Sequence, residues 1–146
     1  VAAVATQEGE TVAASLAAAP GRRSEVDASR DTFGRDWLEA TLAALPDRAA
    51  VISWWSFSTP LWYGRWVEGR REDIVIIDDR DVIDDGYGTV EGAIERFLGE
   101  RPVFLVRLGD DLPRIGEQYV LELVPGIPSP GDLYRVLGRR TSGAPA

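Results

Sequence analysis

The chain has no cysteine, no histidine, no methionine and no lysine; all 16 basic residues are arginine. Without cysteine there is no disulfide framework, no thiol nucleophile and no cysteine-ligated zinc. Without histidine there is no Ser–His–Asp chemistry and no imidazole metal site. Without lysine there is no Schiff base and no P-loop lysine. Catalysis within this chain would fall to carboxylates, hydroxyls, arginine or a hard metal ion. Positive charge is also in short supply: the formal net charge is −8, which argues against nucleic acid as a partner and against polybasic attachment to anionic lipid. Long hydrophobic runs are missing too. No apolar stretch approaches the roughly 18 residues of a membrane-spanning helix. Residues 1–19 lack the basic start of a signal peptide and are interrupted by Glu8 and Glu10. With no methionine even at position 1, the expectation is a mature form or an excised piece of a longer protein.

What is present reads as one domain of ordinary core content, with 146 residues of which 45% are hydrophobic. The organising stretch runs from Ala50 to Asp81. Ala49 to Ile52 is a short apolar strand, and Ile74 to Ile77 is a second, β-branched one. Between them Thr59 is placed as an N-cap, Pro60 as a first helical residue and Gly69 as the C-terminal glycine. Leu61, Trp62, Trp66 and Val67 supply an apolar stripe at helical spacing. Strand, helix and strand with short connections predict two parallel strands joined by a right-handed crossover.

Upstream, Ser29 to Leu45 reads as a helix capped by Ser29 or Asp31, with Trp37, Leu38, Thr41, Leu42 and Leu45 inward and Pro46 as its stop. Downstream, Thr89 caps a helix over Val90 to Leu98 that Gly99 ends. Val103 to Leu108, Gln118 to Val124 and Leu133 to Leu137 read as three further strands, with a short helical turn at Asp110 to Pro113 and a proline-rich turn between the last two strands. The expected fold is a three-layer α/β/α sandwich, Rossmann-like, on a mostly parallel sheet of about five strands with an antiparallel C-terminal edge hairpin and the order 2-1-3-4-5. Residues 1–25 are expected as a linker or marginal helix, 26–138 as a single α/β domain and 139–146 as a disordered tail.

Three constellations offer chemistry. Asp78, Asp79, Asp81, Asp84 and Asp85 form an acidic loop at the carboxyl end of a parallel strand. Asp78, Asp79 and Asp81 are the candidate ligands for a divalent cation such as Mg²⁺ or Ca²⁺. The competing reading is solvated surface neutralised by Arg70, Arg71 and Arg80. Gly86-Tyr87-Gly88-Thr89 precedes a helix, but its glycines do not have dinucleotide-fingerprint spacing, so they read as turn glycines and a cap. Four of the five tryptophans fall between Trp54 and Trp66; most are expected in the core, with Trp55 and Tyr63 lining a cleft. Aromatic faces beside carboxylates suit sugar rings, and indoles suit a membrane interface. The candidate cleft comprises Trp55, Ser56, Ser58, Tyr63, Asp79 and Asp81. No catalytic residue and no cofactor is assigned.

Pro60-Leu61-Trp62-Tyr63, then Val67-Glu68-Gly69-Arg70, then Asp73-Ile74-Val75-Ile76, preceded by Val26-Asp27-Ala28-Ser29 and Trp37, resemble the soluble domain of a family of large bacterial multi-pass membrane proteins. Their membrane portion is similar to that of GT-C, protein O-mannosyltransferase-like glycosyltransferases. The chain departs from many of them after the first strand, where it carries Ser53-Trp54-Trp55-Ser56-Phe57 in place of Asn, Gly and Asp. The resemblance implies an extracytoplasmic accessory domain at the cell membrane, with its own membrane-embedded portion as partner, a glycan or lipid-linked sugar as a candidate second partner, and the sugar-transfer residues elsewhere. Two readings compete with it: a stand-alone metal-dependent phosphoryl or glycosyl hydrolase using the Asp78, Asp79 and Asp81 carboxylates, and a nucleotide-binding regulatory domain.

Overall fold

The computed structural model describes residues 31–108 and 111–141; the expected linker or helix at 1–25 and the candidate cap Ser29 lie outside them. All the named elements belong to one compact unit beginning at Phe33. They are α1 (Phe33–Ala44), β1 (Ala50–Ser53), α2 (Trp55–Trp62) continued by a π-helical turn (Tyr63–Val67), β2 (Val75–Asp78), α3 (Val90–Phe97), β3 (Val103–Arg107), α4 (Leu112–Gln118), β4 (Tyr119–Leu123) and β5 (Asp132–Arg139).

The fold is α/β, with a five-stranded mixed sheet in the order β2-β1-β3-β5-β4. β1 lies between β2 and β3 and runs parallel to both, so Ala50 faces Val75 on one side and Val103 on the other. The C-terminal hairpin is antiparallel as expected. The order of its strands is not: β5, rather than β4, pairs with β3. β5 carries Leu133 into one apolar cluster and Val136 into the other, so it has core side chains for both faces and suits an inner position. β4 leaves Glu122 and Leu123 exposed, as an edge strand does. β5 also runs two residues past the expected end at Leu137, and Arg139 pairs with Tyr119.

Alternation along the strands divides the core in two. Val51, Phe104, Val106 and Leu133 pack with Trp37, Leu38 and Leu42 of α1 and Phe57 and Leu61 of α2. Ala50, Ile52, Val103 and Leu105 pack with Ala93, Ile94 and Phe97 of α3 and Ile115 of α4. Burying such a side chain contributes about 1.5–3 kcal/mol, and each inner strand does so on both faces.

Local signals explain most boundaries. Pro46 follows α1, whose terminal carbonyls are met by an unforeseen residue: Arg71 donates to the oxygens of Leu42, Leu45 and Pro46 at 2.7–2.8 Å. The Thr89 hydroxyl accepts from the Gly92 N–H at 3.0 Å, capping α3 as expected. Gly69 has φ +65° at the end of the π-helical turn.

The start of α2 corrects the sequence expectation. The helix begins at Trp55, with Trp54 as N-cap, and Pro60 lies inside it; Thr59 caps nothing. Starting one turn earlier buries Phe57 and Ser58 along with Leu61. Proline removes only the hydrogen bond to the Ser56 carbonyl, and Ser56 is exposed to water. The apolar stripe also divides: Leu61 is buried, whereas Trp66 is 67% and Val67 68% exposed, because the turn widens and seats Gly64 against Leu38 and Leu42.

Candidate functional site at the strand ends and the aromatic helix

Two features surround the carboxyl ends of β1, β2 and β3. The first is a polar cluster. Ser53, Ser58, Asp78 and Arg107 are all buried. Ser53 ends β1, and its hydroxyl lies 2.5 Å from that of Ser58 in α2. Ser58 in turn hydrogen-bonds Asp78 at the end of β2. Arg80 turns back on Asp78, with its N–H at 2.9 Å and its Nε at 3.1 Å from Oδ1. Burial alone would push the Asp78 carboxyl up, but the hydrogen bonds from the Arg80 side chain, the Arg80 N–H and Ser58 outweigh it and hold the group below the usual carboxylate range.

Asp79 points the other way. Its Oδ2 accepts from Arg107 Nη1 at 2.8 Å, and the same nitrogen lies 3.5 Å from Asp111 at the start of α4. Asp78 is the last residue of β2 and Asp79 the first of the turn that follows, and the two adjacent aspartates serve two different clusters. Asp81 is exposed; its N–H donates to the Asp78 carbonyl in the turn. The three carboxylates offered as metal ligands therefore do not converge, and among the described residues no group of three metal-binding side chains is placed to hold an ion.

The second feature is apolar. A groove of about 690 Å³ lies between α1 and α2, with Trp37, Phe57, Trp55, Pro60 and Tyr63 among its walls. Of the six expected cleft residues, Trp55, Ser56 and Tyr63 line this groove. Ser58 lies under the helix, and Asp79 and Asp81 belong to the strand ends. Trp55 joins the two features: the Arg80 guanidinium sits 5.1 Å from its ring centroid, at a cation–π distance. Trp62 and Trp66 stack at 5.7 Å.

The chain matches no family model, no curated protein and no solved structure. Among the described residues, no helix is long and apolar enough to cross a membrane.

Arg107 is the residue that sequence reasoning passed over. Its signal was present: within Val103 to Arg107 it shares alternation with Val103 and Leu105, which face inward. A charged residue at an inward position of a central strand asks for a partner, and Asp79 is that partner across the sheet.

Proposed function

We propose that this chain is a non-catalytic, extracytoplasmic accessory domain of a glycosyltransferase-like membrane protein. It packs on the membrane-embedded portion, or positions an acceptor or glycan, through the aromatic face of α2. The observation that carries this reading is the exposure of large apolar side chains on one short segment: Trp55 and Tyr63 at 47%, Trp66 at 67% and Val67 at 68%. Exposed aromatic surface beside an apolar groove marks an interaction site. The absence of Cys, His and Lys, and the opposite facing of Asp78 and Asp79, favour binding over hydrolysis. The two core clusters, one on each side of the strands, support the finer reading of a three-layer, Rossmann-like sandwich.

The test is cross-linking in the parent protein. A photo-reactive residue replacing Trp66 is expected to cross-link to the membrane portion, and the same residue replacing Glu100 is not. Thermal shift of the isolated chain with a glycan and polyprenyl-phosphate-sugar panel tests the positioning role, with Trp55→Ala expected to abolish any shift. A parent reading frame without membrane helices, or equal cross-linking from both positions, would sink the proposal.

A further inference from the structure

We propose that the free edge of β4 is an interface for a second copy of this chain, whose own β4 pairs antiparallel with it about a two-fold axis at Leu121. The sheet has two edges, β2 and β4, and the chain treats them differently. In β2 the N–H groups of Val75 and Asp79 donate to β1, so by alternation Ile74, Ile76 and Asp78 turn their backbone groups outward. That edge is guarded. Arg65 donates to the Ile74 carbonyl, the Ile74 N–H bonds the Arg71 carbonyl, and the Asp78 carbonyl accepts from the Asp81 N–H. In β4 the ladder to β5 is fixed at both ends, by Arg140 N–H on the Gln118 carbonyl and Val124 N–H on the Leu133 carbonyl. By the same alternation Tyr119, Leu121 and Leu123 face outward. The Tyr119 N–H is taken by the Ile115 carbonyl at the end of α4. The Tyr119 carbonyl and both backbone groups of Leu121 and Leu123 have no partner among the described residues.

The devices that normally blunt an edge are missing from β4. It contains no proline and no lysine. The irregularity between Val120 and Leu121 places the extra residue, Leu137, on β5, so β4 itself keeps its alternation. Charge and register then select the occupant. The strand carries one charged side chain, Glu122, and Arg135 of β5 is its cross-strand neighbour. The edge is therefore locally neutral on a chain of net charge −8, which lets a second copy approach there. With the axis at Leu121, its N–H meets the Leu121 carbonyl of the second copy and the Leu123 N–H meets the Tyr119 carbonyl, each in both directions. Leu123, 56% exposed, gains the Tyr119 of the second copy as its cross-strand neighbour, and Glu122 faces Val120. Moving the axis to Glu122 would oppose two carboxylates. Moving it to Val120 would carry Leu123 past the end of the facing strand. An interface of this symmetry must fit itself, and β4 does so in this one register. This inference is independent of the docking reading, because it concerns the far edge of the sheet rather than the aromatic face of α2.

The experiment is sedimentation equilibrium of the 146-residue chain from micromolar to millimolar concentration, with amide hydrogen exchange read at both ends of that range. A monomer–dimer equilibrium is expected. The Leu121 and Leu123 amides should gain about tenfold or more in protection in the dimer, whereas the Glu122 amide, already bonded to β5, should not. Two changes at Val120, which belongs to neither core cluster, test the register. Val120→Glu sets a carboxylate opposite Glu122 of the second copy and should weaken the dimer; Val120→Arg sets a cation there and should tighten it. Leu123→Pro removes an outward N–H while leaving the ladder to β5 in place, and should abolish dimerisation; if that variant fails to fold, the Val120 pair still decides. Trp66→Ala should leave the dimer unchanged, which separates failure of this inference from failure of the docking reading. A monomer throughout the range, a dimer whose Leu121 and Leu123 amides gain no protection, or a shift of the same sign from both Val120 variants would overturn it.

Discussion

Replacing Gly131 by alanine is expected to cost far more than the same change at Gly126 in the same turn. Gly131 has φ +104° and Gly126 φ +83°, so both adopt a left-handed backbone that costs an L side chain roughly 1–2 kcal/mol. Their surroundings differ. A Cβ on Gly126 meets nothing within 4 Å, whereas one on Gly131 falls 2.4 Å from a ring carbon of Phe57 and 2.8 Å from Trp37 Nε1. Those rings are buried and lie 4.7 Å apart between centroids, so neither can swing into solvent. Trp37 Nε1 also donates to the Gly131 carbonyl at 2.8 Å, and moving the backbone away would break that bond. Overpacking of this kind costs about 1–3 kcal/mol. The sum is roughly 2–5 kcal/mol for Gly131→Ala, against about 1–2 for Gly126→Ala. Domains of this class have about 5–15 kcal/mol in total. With a urea slope of roughly 1–3 kcal/mol/M, the midpoint should fall by about 1 M or more for Gly131→Ala. Equal midpoints for the two variants would refute the claim that the turn is held down on Trp37 and Phe57.

Three further expectations concern single contacts. Arg71→Ala removes the donor to three carbonyls at the end of α1 and should lower stability by about 2–4 kcal/mol in urea unfolding, since hydrogen bonds from charged groups contribute more than neutral ones; a loss below about 0.5 kcal/mol, within the scatter of surface substitutions, would show that water replaces it. The Asp73 carboxyl is held well below the usual carboxylate range, first by the Arg71 side chain and then by the Arg48 N–H. Its contribution is therefore present above the unfolded value near 3.8 and fades as pH falls below it, so Asp73→Asn should flatten the acid limb of a stability–pH curve. Burial and then Glu95 push the Tyr119 phenol up to about 12. Stability tied to it is intact below the unfolded value of 10 and declines as pH rises from there towards 12, and Tyr119→Phe should remove that decline as followed by circular dichroism.

Much of the local structure was legible in the chain because its causes are local. Pro46 closes the first helix, Thr89 caps the third, and Gly69 and Gly99 stand after helix ends with positive φ. The β-branched run at Ile74 to Ile77 and the apolar run at Ala49 to Ile52 needed only period and length to be read as strands. The start of α2 was misplaced because Thr59-Pro60 is a strong local signal for a beginning. It was overridden by the burial of Phe57 and Ser58, a term that depends on α1 and β1 being there to receive them.

The candidate site was legible only in part. Sequence placed Trp55 and Tyr63 at a cleft and Asp78 and Asp79 at a strand end, because exposure and strand polarity follow from local pattern. It grouped the aspartates as one cluster, whereas in the structure Asp78 meets Ser58 and Arg80 and Asp79 meets Arg107. What the sequence by itself determined is the set of elements, the Thr89 cap of α3 and the parallel core of β2, β1 and β3, all of which rest on short-range propensity and on crossover geometry. What only the tertiary structure decided is the place of β5 beside β3, the exposure of Trp66 and Val67, and the meeting of Arg107 with Asp79 across 28 residues of chain. Those depend on which distant surfaces are left to be covered once the helices have packed, and no local pattern records that.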